Sequence, residues 1–202
     1  MATTGSPTSN QTAVVGGARE RILEAAYELF SRRGVRGVGI DAIIARAGVA
    51  RMTLYRHFSS KEELALACLA RREQRWTRQW LQVEIEARAT APGERLLAVF
   101  DVFDEWFQTP EFEGCTFIRI LLEATDSADS IGRAGREYLA GIRNMLADLA
   151  RQAGLADAED FAFKWHILMK GSIVAAGEGD LASARRAQQI AKVLLNHELQ
   201  AA

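Results

Sequence analysis

Between Gly48 and Leu64 the chain reads GVARMTLYRHFSSKEEL. Arg51, Thr53, Tyr55, Arg56, His57 and Lys61 are side chains that bond phosphate oxygens or base edges. Leu54 and Phe58, four apart, point the opposite way on a helix, toward a core. A short helix with one apolar seam and a solvent face of arginine, threonine and tyrosine suits a nucleic-acid duplex. Arg51 is the candidate base reader, through a bidentate pair with guanine, and Met52 suits contact with a thymine methyl. Arg56 fits either a groove edge or a phosphate. Lys61 falls in the first turn of the following helix, where the macrodipole disfavours a cation, and a bound phosphate would remove that conflict. No other stretch of the chain has comparably specific chemistry.

These residues need elements to hold them. Residues 18–33 show a helical period, with Ile22, Ala25, Ala26, Leu29 and Phe30 in one stripe, and Gly34 suits the end of that helix. A short second helix is expected over 40–47, burying Ile40, Ile43 and Ile44. Gly48 ends it, and a third helix is expected over 50–58. Two short helices joined at a tight glycine turn form a helix-turn-helix pattern. The fourth helix opens at Ser59 and Ser60, where Ser60 with Glu63 and Ser59 with Glu62 both fit a capping box. It is expected to reach Arg88, with Leu64, Cys68, Leu69, Trp76, Trp80, Val83 and Ile85 as its apolar positions. Further helices are expected over 92–107, 115–124, 130–152, 157–176 and 181–197, with a loop at 109–114. The reading is all-α: a three-helix head at 18–64 and a six-helix body at 65–202, after a disordered tail at 1–17.

The 202 residues have a formal net charge of −1. Residues 1–65 hold nine Lys and Arg against six Asp and Glu, a net +3, and the rest holds 16 against 20, a net −4. A basic head on an acidic body points to a polyanion at the head. The two cysteines, Cys68 and Cys115, and the three histidines show no metal-ligand spacing, so neither a metal nor another cofactor is expected. The cysteine usage fits a reducing cytoplasm. No apolar run approaches the roughly 20 residues needed to span a bilayer, and the N-terminus lacks the marks of a signal peptide. A cytoplasmic protein without a membrane partner is expected.

Three stretches, ILEAAYELFSRRG, IDAIIARAGV and TLYRHFSSKEEL, resemble in order and spacing the DNA-binding domain of TetR-type transcriptional regulators. The resemblance covers the first 65 residues. It implies a homodimer whose heads bind a palindromic double-stranded DNA operator, and a variable helical body that binds a small molecule and dimerises through its last two helices. It also places Lys61, Tyr55, Thr53 and His57 at or near the DNA backbone. The chain departs from the family's pattern at Val38 and Gly39, and at Ala50, where serine or threonine is usual. Each loss removes a side-chain cap, a change of about 1 kcal/mol. Met52 stands where many members have glycine.

In the body, large side chains on several helices serve as core or line an apolar cavity. Trp76, Trp80, Phe100, Phe103, Trp106, Phe117 and Met169 are the apolar candidates for such a pocket. Cys115, Tyr138, Trp165 and His166 are the candidates for its polar edges. The expected occupant is an uncharged or cationic hydrophobic effector. Small and apolar residues on the last two helices, Gly171, Val174, Ala175, Ala184, Ala187, Ala191 and Leu195, suit either a four-helix dimer interface or closure of the chain's own core. Cys115 with His166 is a conceivable nucleophile–base pair, but no oxyanion-hole or phosphate-cradling motif accompanies it, so no catalytic residue is assigned. The expected function is a ligand-responsive regulator, most simply a repressor. The alternative is a small-molecule-binding protein with a vestigial head.

Overall fold

The structure, a computed structural model, describes residues 17–110, 112, 114–123 and 129–201. The expected tail falls outside them save for Gly17, as do Glu111 and Glu113 of the expected loop. Among the described residues there are nine helices and no strand. They are α1 (Ala18–Arg33), α2 (Ile40–Ala47), α3 (Arg51–His57), α4 (61–88), α5 (Pro92–Phe107), α6 (Thr116–Glu123), α7 (Ser130–Gln152), α8 (Ala158–Gly177) and α9 (Ser183–Ala201). Contacts gather them into two compact units, one from 17–74 with 115–123 and 129–138, and one from 75–110, 112 and 114 with 139–201.

In the first unit α1 packs against α2, α3 and the start of α4. Its buried stripe is Ile22, Leu23, Ala25, Ala26 and Phe30, and Leu29 is only half-buried. Gly34 closes α1 at φ +71°, a conformation that costs a side-chain-bearing residue energy. Val35 and Val38 are buried in the turn to α2, so the position that lacks a serine or threonine cap supplies a core side chain instead. Of the three isoleucines of α2, only Ile43 is fully buried. An eight-residue helix turns one narrow stripe inward, and Ile40 and Ile44 sit at its margins. Gly48, at φ +62°, makes the left-handed turn into α3. Leu54 and Phe58 are fully buried and seat α3 on α1.

Ser60 caps α4 by accepting a hydrogen bond from the Glu63 N–H at 3.0 Å. The Glu63 carboxylate accepts from the N–H and hydroxyl of Ser59, at 2.7 and 2.6 Å. Those hydrogen bonds hold its pKa below the usual carboxylate range. The second expected box does not form, because Glu62 instead accepts a hydrogen bond from the Ser130 hydroxyl of α7.

α4 is not uniform. It is α-helical over Lys61–Arg72, π-helical over Glu73–Gln82 and α-helical again over Val83–Arg88. The wider i→i+5 turn moves the inward positions, since Trp76 is followed by Leu81 and not by Val83. Leu81 and Ile85 are buried, Trp80 is half-buried and Val83 is exposed, which corrects the expected apolar set.

The second unit is built around α5, which buries Leu96, Val99, Phe100, Val102, Phe103, Trp106 and Phe107. The end of α4, α8 and α9 pack on it. Ser183 donates from its hydroxyl to the Ser172 carbonyl at 2.8 Å, and Lys164 reaches Glu198 at 3.0 Å. α8 and α9 are thereby antiparallel neighbours. Gln188 ties α9 to the Leu97 carbonyl and to Asp101 of α5.

Candidate nucleic-acid interface

α3 is two turns long, and its inward positions are spent on Leu54 and Phe58. Arg51, Met52, Tyr55 and Arg56 are consequently exposed, Met52 at 79% and Tyr55 at 41%, and Thr53 and His57 are half-buried beside them. Lys61, in the first turn of α4, is half-buried. An exposed methionine on a short helix has no folding value, whereas outward arginine, tyrosine and methionine together form a polyanion-binding face. Ala50 opens α3 with extended backbone and no side-chain cap, and Gly39 does the same for α2.

Electrostatics sorts the basic residues. Arg46 forks onto Glu28 at 2.8 and 3.0 Å, and the Arg19 guanidinium lies 5.0 Å from the Phe58 ring centroid. Both therefore serve the fold of the head. Arg51 pairs with Asp41 of α2 through one terminal nitrogen. Asp41, one helix away from its partner, carried no signal in the sequence. Glu123 of α6 is the second residue missed: its carboxylate meets the backbone of the α1–α2 turn.

The body candidates divide between the two units. Phe117 and Tyr138 stack in the first, with ring centroids 5.3 Å apart, and Cys115 belongs to that unit. In the second unit Trp76, Trp80, Phe103 and Trp106 pack ring against ring, with centroids between 5.0 and 6.2 Å. Phe100 lies 5.5 Å from Trp165, which with Met169 is buried on α8. Fully burying one such ring stabilises the chain by about 1.5–3 kcal/mol, so packing accounts for their presence. Two adjacent polar groups are different. The indole nitrogen of Trp165 and Nδ1 of His166 are buried without a hydrogen-bond partner among the described residues. Burial, and then Lys170 and Arg143, lower the His166 pKa to about 3. Burial also raises the thiol pKa of Cys115, and that of Cys68 to about 12. Both shifts, a raised thiol at Cys115 and a lowered imidazole at His166, oppose a thiolate–imidazolium pair.

The small-residue set on the last two helices also divides. Ala184, Ala187, Ala191 and Leu195 are buried within the single chain, where α9 meets α8 and α5. Gly171 and Val174 are exposed and Ala175 is half-buried. The exposed apolar side chains that reasoning from spacing missed are Phe163 and Ile167 on α8, and Ile190 and Val193 on α9. Their signal was an apolar residue every three to four positions on the face opposite the alanines.

Residues 22–68 match the sequence profile described as bacterial regulatory proteins, tetR family. An uncharacterized HTH-type transcriptional regulator of Mycobacterium tuberculosis is 42% identical over 80 residues, 40% of this chain and 39% of the relative, so that likeness spans about two fifths of the relative's length. Two solved structures are similar over nearly the whole chain. A TetR-family transcriptional regulator from Streptomyces coelicolor has a TM-score of 0.80 at 27% identity, covering 90% of this chain and 96% of that one. A putative tetR-transcriptional regulator from Streptomyces avermitilis has a TM-score of 0.81 at 29% identity, covering 91% and 98%. With a helix-turn-helix whose outer face carries Arg51, Met52, Tyr55 and Arg56, residues 22–68 form a TetR-type DNA-binding head, and the chain is similar along its length to TetR-family transcriptional regulators.

Proposed function

We propose that this protein is a cytoplasmic, homodimeric regulator that binds an inverted-repeat DNA operator through α3 and represses until a small hydrophobic effector occupies its body. The observation that carries the DNA reading is the division of α3, with Leu54 and Phe58 buried and Arg51, Met52, Tyr55 and Arg56 turned out. In this reading Arg51 and Met52 contact base edges. Thr53, Tyr55, His57 and Lys61 contact the backbone, and Arg56 lies between them.

Outward apolar residues support the dimer. Phe163, Ile167 and Val174 recur at helical spacing on α8, and Ile190 and Val193 on α9. A second copy would cover them, with Gly171 and Ala175 allowing close approach. Two heads related by a two-fold axis read half-sites about 34–36 Å apart, which makes the operator an inverted repeat.

The effector reading is supported by Trp165 and His166, whose buried polar nitrogens lack partners among the described residues. A neutral imidazole and an indole N–H suit an uncharged ligand with a hydrogen-bonding group. Such a ligand acts only by binding one conformation of the body better than the other.

Selection of bound duplexes from a random pool, repeated across salt, tests the proposal. The expected product is an inverted repeat whose affinity falls steeply as salt rises. A protein that enriches no sequence would favour the second reading, a binding protein with a vestigial head. The missing caps at Gly39 and Ala50 are the observation on that side.

A further inference from the structure

The geometry points to Glu123 as a positioning residue for the DNA-binding head: its carboxylate, carried by α6, sets the α1–α2 turn from which α2 and α3 are suspended. The inference rests on the head's being the DNA-binding element. The Val35 N–H donates to Glu123 Oε2 at 3.1 Å, and the Arg36 N–H points to the same oxygen at 3.5 Å. The other face of the carboxylate lies against Gly34, where a Cβ would overlap it. One helical turn earlier on α6, Arg119 donates to the Arg32 carbonyl at 2.7 Å. α6 thus supplies an acceptor for the N–H groups beyond α1 and a donor for a carbonyl at its end. The Arg32 carbonyl is one of the groups that a helix C-terminus leaves without an internal partner, and the two N–H groups belong to the turn that follows it.

The charge arrangement indicates placement more than stability. A carboxylate at the C-terminus of α1 meets the negative end of that helix's dipole, and Glu123 is also the last residue of its own helix. Both dipoles oppose the contact, and Arg32 and Arg33 in the last turn of α1 bring positive charge to the same end. The turn it holds contains Val35 and Val38, the buried links between α1 and α2. α2 in turn carries Asp41, the partner of Arg51. α6 is itself seated by close packing, for Phe117 stacks on Tyr138, and a Cβ on Gly135 would come within 3.2 Å of Ile120. A small displacement of α6 therefore moves the turn and changes the angle at which α2 and α3 meet a duplex.

The test uses the full chain, a duplex recovered by selection, and the same duplex with scrambled half-sites. Glu123→Ala is expected to weaken the selected duplex about tenfold, the loss expected on removing a hydrogen bond to a charged acceptor, and to leave scrambled DNA and its salt dependence unchanged. Glu123→Gln keeps an acceptor oxygen and is expected to retain most of the discrimination. Amide exchange at Val35 and Arg36 is expected to quicken in Glu123→Ala while that at Leu54 does not. Gly34→Ala is expected to cost less selected-duplex affinity when combined with Glu123→Ala than when introduced alone. Backbone strain at position 34 is common to both backgrounds and cancels. Equal weakening of both duplexes by Glu123→Ala, or an equal cost of Gly34→Ala in the two backgrounds, would overturn the proposal alone. A wild-type protein that enriches no sequence would overturn the DNA-binding reading, and the proposal with it.

Discussion

The Arg51–Asp41 pair shows how one contact bears on recognition. Both side chains are more than half exposed, so the pair contributes little to stability. It does hold the guanidinium toward α2 through one nitrogen, which leaves the rest of its donor fork to face a base. Arg51→Ala is expected to relax the preference at one base pair of each half-site, at a cost of about 1–3 kcal/mol. Lys61→Ala is expected to weaken all sequences alike and to reduce the salt slope by about 1. Dissociation constants on the operator, on single-base variants and on random DNA separate the two behaviours. Equal loss on operator and random DNA in Arg51→Ala would remove Arg51 from base reading.

At the scale of the element, caps decide the head's margins. Ala50 already has the extended backbone of a helix N-cap, φ −74° and ψ 151°, and lacks only the side-chain acceptor. Ala50→Ser is therefore expected to stabilise the protein by about 0.5–2 kcal/mol, and Ser60→Ala to destabilise it by a similar amount. Opposite shifts in thermal midpoint check both, and an Ala50→Ser variant that melts at or below the wild-type temperature would refute the first. The π-helical stretch of α4 carries the same lesson for sequence reading. An α-helical period projected through Trp76 and Trp80 puts Val83 inside, whereas the wider turn buries Leu81 and exposes Val83.

For the whole molecule, His166 predicts the acid limb of stability. Its pKa falls from an ordinary 6.5 to about 3 on folding, so the unfolded chain takes up the proton first. The contribution is complete above about pH 6.5 and is lost progressively as pH falls toward 3, the loss reaching about 2 kcal/mol near pH 5. Denaturant melts between about pH 7 and 5 should show that fall. His166→Gln should flatten it, and an unchanged pH dependence in that variant would show that another group carries the effect. The assembly is tested by charge placement. Ile190→Glu and Val193→Glu are expected to give a folded monomer with weakened operator binding, because both side chains are exposed in the single chain. Ala191→Glu, at a fully buried position, is expected to unfold it. Sedimentation and circular dichroism distinguish the cases, and dimers that persist in both outward variants would place the interface elsewhere.

Most helix limits, the glycine stops at Gly34 and Gly48, the inward Leu54 and Phe58 and the outward Arg51 and Tyr55 were readable from the amino-acid sequence. Each follows from rules of local range: a 3.6-residue period, a left-handed turn, a cap. Tertiary structure decided which side of a two-sided helix met the core. α9 offers alanines on one face and Ile190 with Val193 on the other, and only packing against α5 and α8 turned the alanines inward. It alone also brought Glu123 to Gly34, 89 positions away, and Asp41 to Arg51. Such pairings depend on how helices lie in space, and periodicity along one helix holds no record of its neighbours.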